Sequence, residues 1–309
     1  MEDLAGLKRR TAYLSIISNT TLMLLKLAVG VYVGAVSLIS EAMHSGVDLI
    51  AAFVAFWAVR RSLVPPDSTH DYGHGKYESV AAAVEAALII GAAMAIIGES
   101  LDKLREPTLP ENLELGLIIM ALSVAVNYFV ARRLLAVAKK TNSQALRADG
   151  EHLRADIWTS LGVLAGLAGM NFFDWPWLDP VIAIFVAGII FRVGWHMIRE
   201  SLGELTDISL PPEEEARIVH LIERRSDVYG CHCLRTRKSG SYRLLDVHVL
   251  FDGDMPLKDV HKICDELENA IRRHLGAFDV LIHAEPHKNH TRETKVSVYR
   301  SSSMTENNN

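Results

Sequence analysis

Six apolar segments, near residues 12–33, 37–59, 79–101, 113–131, 146–170 and 179–199, constrain this chain more than any other feature. Each is close to the ~20 residues that carry an α-helix, rising ~1.5 Å per residue, across a ~30 Å hydrocarbon core. Half of the 309 residues are hydrophobic, and the charges gather at the edges of the apolar runs. Residues 1–206 therefore read as a six-helix transmembrane domain. Lys8, Arg9 and Arg10 precede the first segment much as in a signal peptide. More spans follow and no small-residue cleavage site is clear, so the helix reads as retained. An even number of spans puts both termini on one side. Lys8, Arg9, Arg10, Arg60, Arg61, Lys76, Arg132, Arg133, Lys139, Lys140 and Arg147 flank that side, while the opposite connections hold only Lys103 and Arg105 as cations. The positive-inside rule places both termini in the cytoplasm of an inner or plasma membrane protein.

After Pro211-Pro212 the pattern changes to that of a soluble domain, residues 207–290. An amphipathic helix is predicted over 211–225, strands near 229–237 and 242–251, a second helix over 256–275 and a third strand over 278–284. Ser239-Gly240-Ser241 supplies the turn between the first two strands. Leu245, Val247, Val249 and Phe251 alternate with polar neighbours, and Val260, Ile263, Leu267 and Ile271 recur at helical spacing. The expected fold class is an α-helical membrane protein carrying a small cytoplasmic α+β domain of order α-β-β-α-β. Residues 291–309 show no pattern and read as a disordered tail. The net charge of −5 offers no basic footprint for nucleic acid. Three cysteines are too few for a disulfide framework and suit a reducing compartment.

Ionisable groups at membrane depth are costly and point to function. The second apolar segment holds Glu41-x-x-His44-x-x-x-Asp48, and the fifth holds Asp149-x-x-His152-x-x-x-Asp156. At ~100° per residue, the three groups of each copy fall within about 60° of arc, one polar stripe on an apolar helix. The two spans run in opposite directions, so the His-x-x-x-Asp pairs meet at equal depth. Two imidazoles and two carboxylates converging there suit tetrahedral Zn²⁺ at ~2.0–2.2 Å. Glu41 and Asp149 lie a turn away and read either as supporting or pathway groups or as polar contacts between helices. Lys26 reads as snorkelling to the headgroups. Glu85 reads as bonded within the bundle.

A membrane hydrolase would need a general base and an open coordination position, as in His-Glu-x-x-His, and no such motif is present. A non-transporting membrane metal sensor would account for histidines in the soluble domain but not for the intramembrane quartet.

These residues resemble the cation diffusion facilitator family, in particular its bacterial zinc/proton antiporters, over about residues 10–287. The likeness rests on six spans, the run from Ser37 to Asp48, the loop Gly73-His74-Gly75-Lys76, and the His152/Asp156 pair. It implies a homodimeric zinc efflux transporter, not an enzyme, with a metallochaperone-like cytoplasmic domain and with His44, Asp48, His152 and Asp156 as the transport site. Many bacterial relatives carry Asp in place of His44; an imidazole there favours Zn²⁺ over Mn²⁺ and Mg²⁺ while leaving Cd²⁺, Fe²⁺ and Co²⁺ open.

Two further metal sites are expected. Asp67-x-x-His70-x-x-x-His74 has the spacing of three ligands with an open position, against the alternative of a solvated His-rich loop. The family has a second site at these positions. In the soluble domain, strand alternation sets His248, His283 and Glu285 opposite the apolar face. With His232 and His261 they match the family's zinc cluster at the dimer interface, Glu285 standing where an Asp is usual. Cys231 and Cys233 flank His232 in a Cys-His-Cys run that offers thiolate ligation, but strand alternation sets both on the buried side, so they read, like Cys264, as core residues. Lys76 and Asp207 match a family charge pair at the membrane–cytosol junction, implying a salt bridge that interlocks the protomers.

Overall fold

In lipid only helices and closed barrels satisfy every backbone group internally, and this chain uses helices. The computed structural model describes residues 2–33, 36–105, 113–173, 177–276 and 278–287; the tail expected over 291–309 lies outside them. Cα packing divides the chain into two units, Met1–Leu205 and Thr206–Asn309.

The first unit holds α1 (Glu2–Val33), α2 (Val36–Ser62), α3 (Tyr77–Arg105), α4 (Leu113–Thr141), α5 (Gln144–Phe173) and α6 (Leu178–Leu205). Among the described residues, α1, α3, α4 and α6 contain stretches long and apolar enough to cross a membrane by composition alone. α5 carries Arg147, Asp149, Glu151, Arg154 and Asp156 in its first half, polar groups that a composition test penalises. Phe129, Phe185, Trp158 and Trp195 are exposed on the outside of the bundle, an apolar girdle suited to acyl chains.

Lipid removes the hydrophobic drive between helices, so close packing of small residues holds them together. Between α3 and α6, Ala82, Ala86, Ile89 and Ala93 bury against Ile190 and Met197. A Cβ on Gly194 would stand 2.8 Å from Ile90 Cγ1 and 3.3 Å from the Ala86 carbonyl oxygen. Gly188, on the same helix, faces open space. Gly194→Val is therefore expected to destabilise the bundle by about 1–3 kcal/mol. Gly188→Ala should instead stabilise by up to about 1 kcal/mol from helix propensity. Melting temperatures in detergent compare the two, and equal shifts would contradict the packing account.

One end of the bundle is tied by a single buried carboxylate. Glu78 accepts from Lys8 Nζ of α1, from Ser62 Oγ at the end of α2 at 2.7 Å, and from Ser143 Oγ between α4 and α5. Asn142 takes a left-handed φ of 50° to make that last connection, a conformation Asn tolerates.

The second unit holds α7 (Pro212–Glu223), β1 (Gly230–Ser239), β2 (Tyr242–Asp252), α8 (Leu257–Leu275) and β3 (Phe278–His287). Pro212, with no N–H to leave unpaired, opens α7. Glu213–Glu215 at the start of α7 and Arg272, Arg273 and His274 at the end of α8 match the helix dipoles. β1 and β2 form an antiparallel hairpin through Gly240-Ser241, with Gly240 at φ 61°. β2 and β3 are parallel, so their connection needs a crossover, which α8 supplies. Ile218 and Ile222 of α7 and Val260, Ile263, Leu267 and Ile271 of α8 pack on Val247, Val249, Phe251 and Val280. The helices cover one face of the sheet, leaving the other for the histidines. Arg225 adds a polar brace, pairing with Asp227 at 2.6 Å and Glu266 at 2.8 Å.

Candidate metal centre

Asp48 of α2 and His152 and Asp156 of α5 each offer one donor atom within 4.8 Å of the others. His152 Nε2 lies 3.1 Å from Asp48 Oδ1, and both residues are buried in the bundle. His152 Nδ1 has no hydrogen-bond partner among the described residues. The donor set, one imidazole and two carboxylates, suits a small divalent cation of zinc type. His44 lies on α2 one turn before Asp48, but its side chain, like that of Glu41, is outside the described residues.

Neighbouring helices position this group. Asp149 accepts from Ser15 Oγ at 3.0 Å, and Asn19 Nδ2 reaches the Asp48 carbonyl oxygen at 3.5 Å. Sequence reading missed this face of α1, although Thr11, Ser15, Ser18 and Asn19 stand at helical spacing in an apolar segment, and all four are buried. Two expectations are corrected here. Lys26 does not snorkel: it is 7 % exposed and donates to Ser45 Oγ at 3.0 Å. A partner within reach removes the reason for the ammonium to seek headgroups. Glu85 does not bond within the bundle: it is fully buried, and neither carboxyl oxygen has a hydrogen-bond partner among the described residues. It interacts electrostatically with Asp149 and His152 of α5 without a hydrogen bond to either.

The loop between α2 and α3 brings Asp67, His70 and His74 together, their donors within 4.8 Å of one another. Asp67 Oδ1 accepts from the Thr69 hydroxyl at 2.8 Å and from the Thr69 and His70 amides, each at 2.9 Å. Those hydrogen bonds, Thr69's foremost, hold the Asp67 carboxyl well below the usual carboxylate range. Asp67 Oδ2 lies 3.4 Å from His74 Nε2, and the His70 and His74 rings are 4.3 Å apart. His74 is 2 % exposed, and neither ring nitrogen makes a hydrogen bond among the described residues. Gly73 at φ 75° turns the chain beside Pro66, a conformation and a contact that favour glycine.

On the open face of the sheet, strand register places His232 opposite His248 and His248 opposite His283, a row across all three strands. Glu285 joins it: Oε2 lies 3.0 Å from His232 Nε2, and Oε1 lies 2.8 Å from His248 Nδ1 and 3.6 Å from His283 Nε2. Burial works to raise the Glu285 pKa, but hydrogen bonds from His248 and His232 outweigh it and hold the carboxyl below its ordinary value. His248, His283 and Glu285 offer donors within 4.8 Å, as do His232, Cys233 and His248. The donor sets fit zinc. His261 belongs to neither group among the described residues; it sits exposed on α8, 3.8 Å from Asp265.

The cysteine expectation holds for two positions and fails for one. Cys231 and Cys264 are buried, and burial pushes the Cys231 thiol up to about 11. Cys233 is exposed, because β1 shifts register between His232 and Arg235 and Cys233 takes φ 52°. Leu234 then packs against the core in the slot strict alternation assigned to Cys233. Lys76 donates to the Leu205 carbonyl oxygen at 3.4 Å, and Asp207 accepts from Arg237 at 3.1 Å.

Comparison with known proteins matches the profile of the cation efflux transmembrane domain to residues 12–206 and that of the cation efflux protein cytoplasmic domain to residues 210–287. The chain belongs to the cation efflux, or cation diffusion facilitator, family. This cation efflux protein is 37 % identical over 283 residues to Uncharacterized transporter sll1263 of Synechocystis, covering 91 % of each chain. It is 31 % identical to Cation-efflux pump FieF of Escherichia coli strain K12 over 289 residues, covering 94 % of this chain and 96 % of that one. Cation-efflux pump FieF of Citrobacter koseri is likewise 31 % identical over 277 residues, 90 % of this chain and 92 % of that one. The molecule is thus a six-helix membrane transporter for cations with a cytoplasmic dimerisation domain, and not an enzyme.

Proposed function

We propose that this cation efflux protein exports Zn²⁺ from the cytoplasm in exchange for protons, as a homodimer in the cell membrane with both termini cytoplasmic. The observation that carries the reading is the convergence of Asp48, His152 and Asp156 inside the membrane unit. In this reading His44, one turn before Asp48 on α2, is the fourth donor. Imidazole and carboxylate ligands must be deprotonated to hold Zn²⁺, so metal binding expels protons and protonation expels metal. Opening the site to each side in turn converts that competition into exchange.

Asp67, His70 and His74 form a second, surface-proximal metal site in this reading. His232, His248, His283 and Glu285, with His261 joining from α8, bind zinc in the cytoplasmic domain, and occupancy there tightens the dimer and biases the membrane bundle. Zinc flux measured in liposomes tests the proton coupling. Flux should accelerate when the imposed pH gradient drives protons against the metal. Flux indifferent to that gradient, at clamped potential, would count against exchange.

A charge pair between Lys76 and Asp207 is proposed to interlock the protomers. Lys76→Asp or Asp207→Lys alone should weaken the dimer in detergent, and the double reversal should restore it. Chromatographic mass measurement reads the outcome, and a double variant no better than either single one refutes the pairing.

A further inference from the structure

The bulge in β1 creates a donor set that plain strand alternation would not. In a regular strand, His232 and Cys233 would point to opposite faces of the sheet. Here the register shift sets Cys233 and Leu234 against one residue of β2, and Cys233 lies in the left-handed region at φ 52°. Two consecutive side chains therefore share the open face. Cys233 Sγ stands 3.2 Å from His232 Nδ1, while the other nitrogen of that ring, Nε2, lies 3.0 Å from Glu285. A carboxylate on the far nitrogen of an imidazole is the usual way a ligand histidine is oriented. That leaves Nδ1 directed at the sulfur. His248 completes the group, with its own Nδ1 held by Glu285 at 2.8 Å. Tetrahedral zinc, with Zn–S of ~2.3 Å and Zn–N of ~2.0–2.1 Å, separates neighbouring donors by about 3.3–3.6 Å. The three donors lie within 4.8 Å of one another, so small side-chain rotations close the difference.

We propose that Cys233 is a ligand of the cytoplasmic cluster, joining His232 and His248 to hold one ion through a nitrogen–nitrogen–sulfur set beside the His248, His283 and Glu285 group. The inference rests on the reading that the cytoplasmic cluster binds metal, and it adds which ions the cluster favours. A thiolate selects soft and borderline cations, Zn²⁺ and above all Cd²⁺, over Fe²⁺ and Mn²⁺. Binding moves the thiol proton to solvent and forms one metal–sulfur bond, with no redox step. The cytoplasmic domain then responds to a narrower range of metals than the intramembrane site, which has only nitrogen and oxygen donors among its described residues.

The test uses the full-length protein in detergent with a phosphine reductant, titrated with Co²⁺ alone. Sulfur ligation gives a near-ultraviolet sulfur-to-cobalt charge-transfer band; nitrogen and oxygen ligation gives only the visible ligand-field bands. The wild type should show the charge-transfer band. Cys233→Ser should lose it while retaining visible bands, and should bind Cd²⁺ at the cytoplasmic site at least about a hundredfold more weakly, beyond the loss that an outer partner of a ligand causes. The proposal is overturned if wild-type protein binds Co²⁺ without that band, or if the band survives in Cys233→Ser and so belongs to Cys231 or Cys264. Cobalt binding in an Asp48→Ala background distinguishes failure of the underlying reading. If His232→Ala/His248→Ala binds as much as its parent there, the cytoplasmic cluster holds no metal, and this proposal falls with it while the flux reading stands.

Discussion

Zinc flux in reconstituted liposomes is expected to fall to background when Asp48 is replaced by alanine. Asp48 supplies one of three donors that converge among the described residues, and its Oδ1 lies 3.1 Å from His152 Nε2. Losing an outer partner of a metal ligand already lowers affinity by roughly 10–100-fold, so losing a ligand should reach at least about a hundredfold. Asp48→Asn should behave like Asp48→Ala, because the amide keeps the shape but not the charge that opposes Zn²⁺. Glu151→Gln is the matched control: Glu151 pairs with Arg154 at 3.0 Å on the same helix and takes no part in the donor group. Initial rates with a fluorescent zinc indicator inside the vesicles separate the variants. Wild-type flux from Asp48→Ala would remove the basis of the proposed transport site.

The second large effect is on stability. Glu78 is fully buried and receives Lys8, itself 3 % exposed, together with the hydroxyls of Ser62 and Ser143. Removing one partner of such a pair strands the other charge in a low dielectric, which typically destabilises by about 3–5 kcal/mol. Glu78→Ala should therefore lower the melting temperature in detergent by on the order of 10 °C, taking about 2–4 °C per kcal/mol for a unit of this size. Lys8→Met should do comparable damage. The double variant Lys8→Met/Glu78→Leu should recover most of the loss, since replacing a buried ion pair by apolar groups is often neutral or better. A double variant as unstable as the sum of the singles would mean that Lys8 and Glu78 act independently. Neither residue stands out in the sequence: Lys8 is one of three basic residues before a span, and Glu78 lies one helical turn beyond Gly75, at the start of an apolar segment.

The cytoplasmic strands show how far local pattern carries. Alternation around Val247 and Val249 assigned His248 to the open face, and that needed no tertiary information because side chains on a strand alternate with period two. The same rule sent Cys233 into the core and failed, because a bulge resets the phase and the residues themselves do not announce one. The row of His232, His248 and His283 depends on pairing register between strands up to 53 residues apart, as the His232–Glu285 contact illustrates. No pattern within a strand specifies that register. His261 fits the helical period of α8 as an exposed residue, and its spacing gave no means of telling whether it reaches the sheet.

Hydrophobicity and its period are properties of the chain alone. They determined the six membrane helices, the α-β-β-α-β order of the second unit and the polar stripes holding Asp48, His152 and Asp156, because apolar length and side-chain periodicity act locally. What only the tertiary structure decided is which polar groups meet: Lys8 with Glu78, Ser15 with Asp149, Lys26 with Ser45, and Cys233 with His232. A buried polar atom must find a partner from whatever element packs against it, and that element is chosen by the fold as a whole.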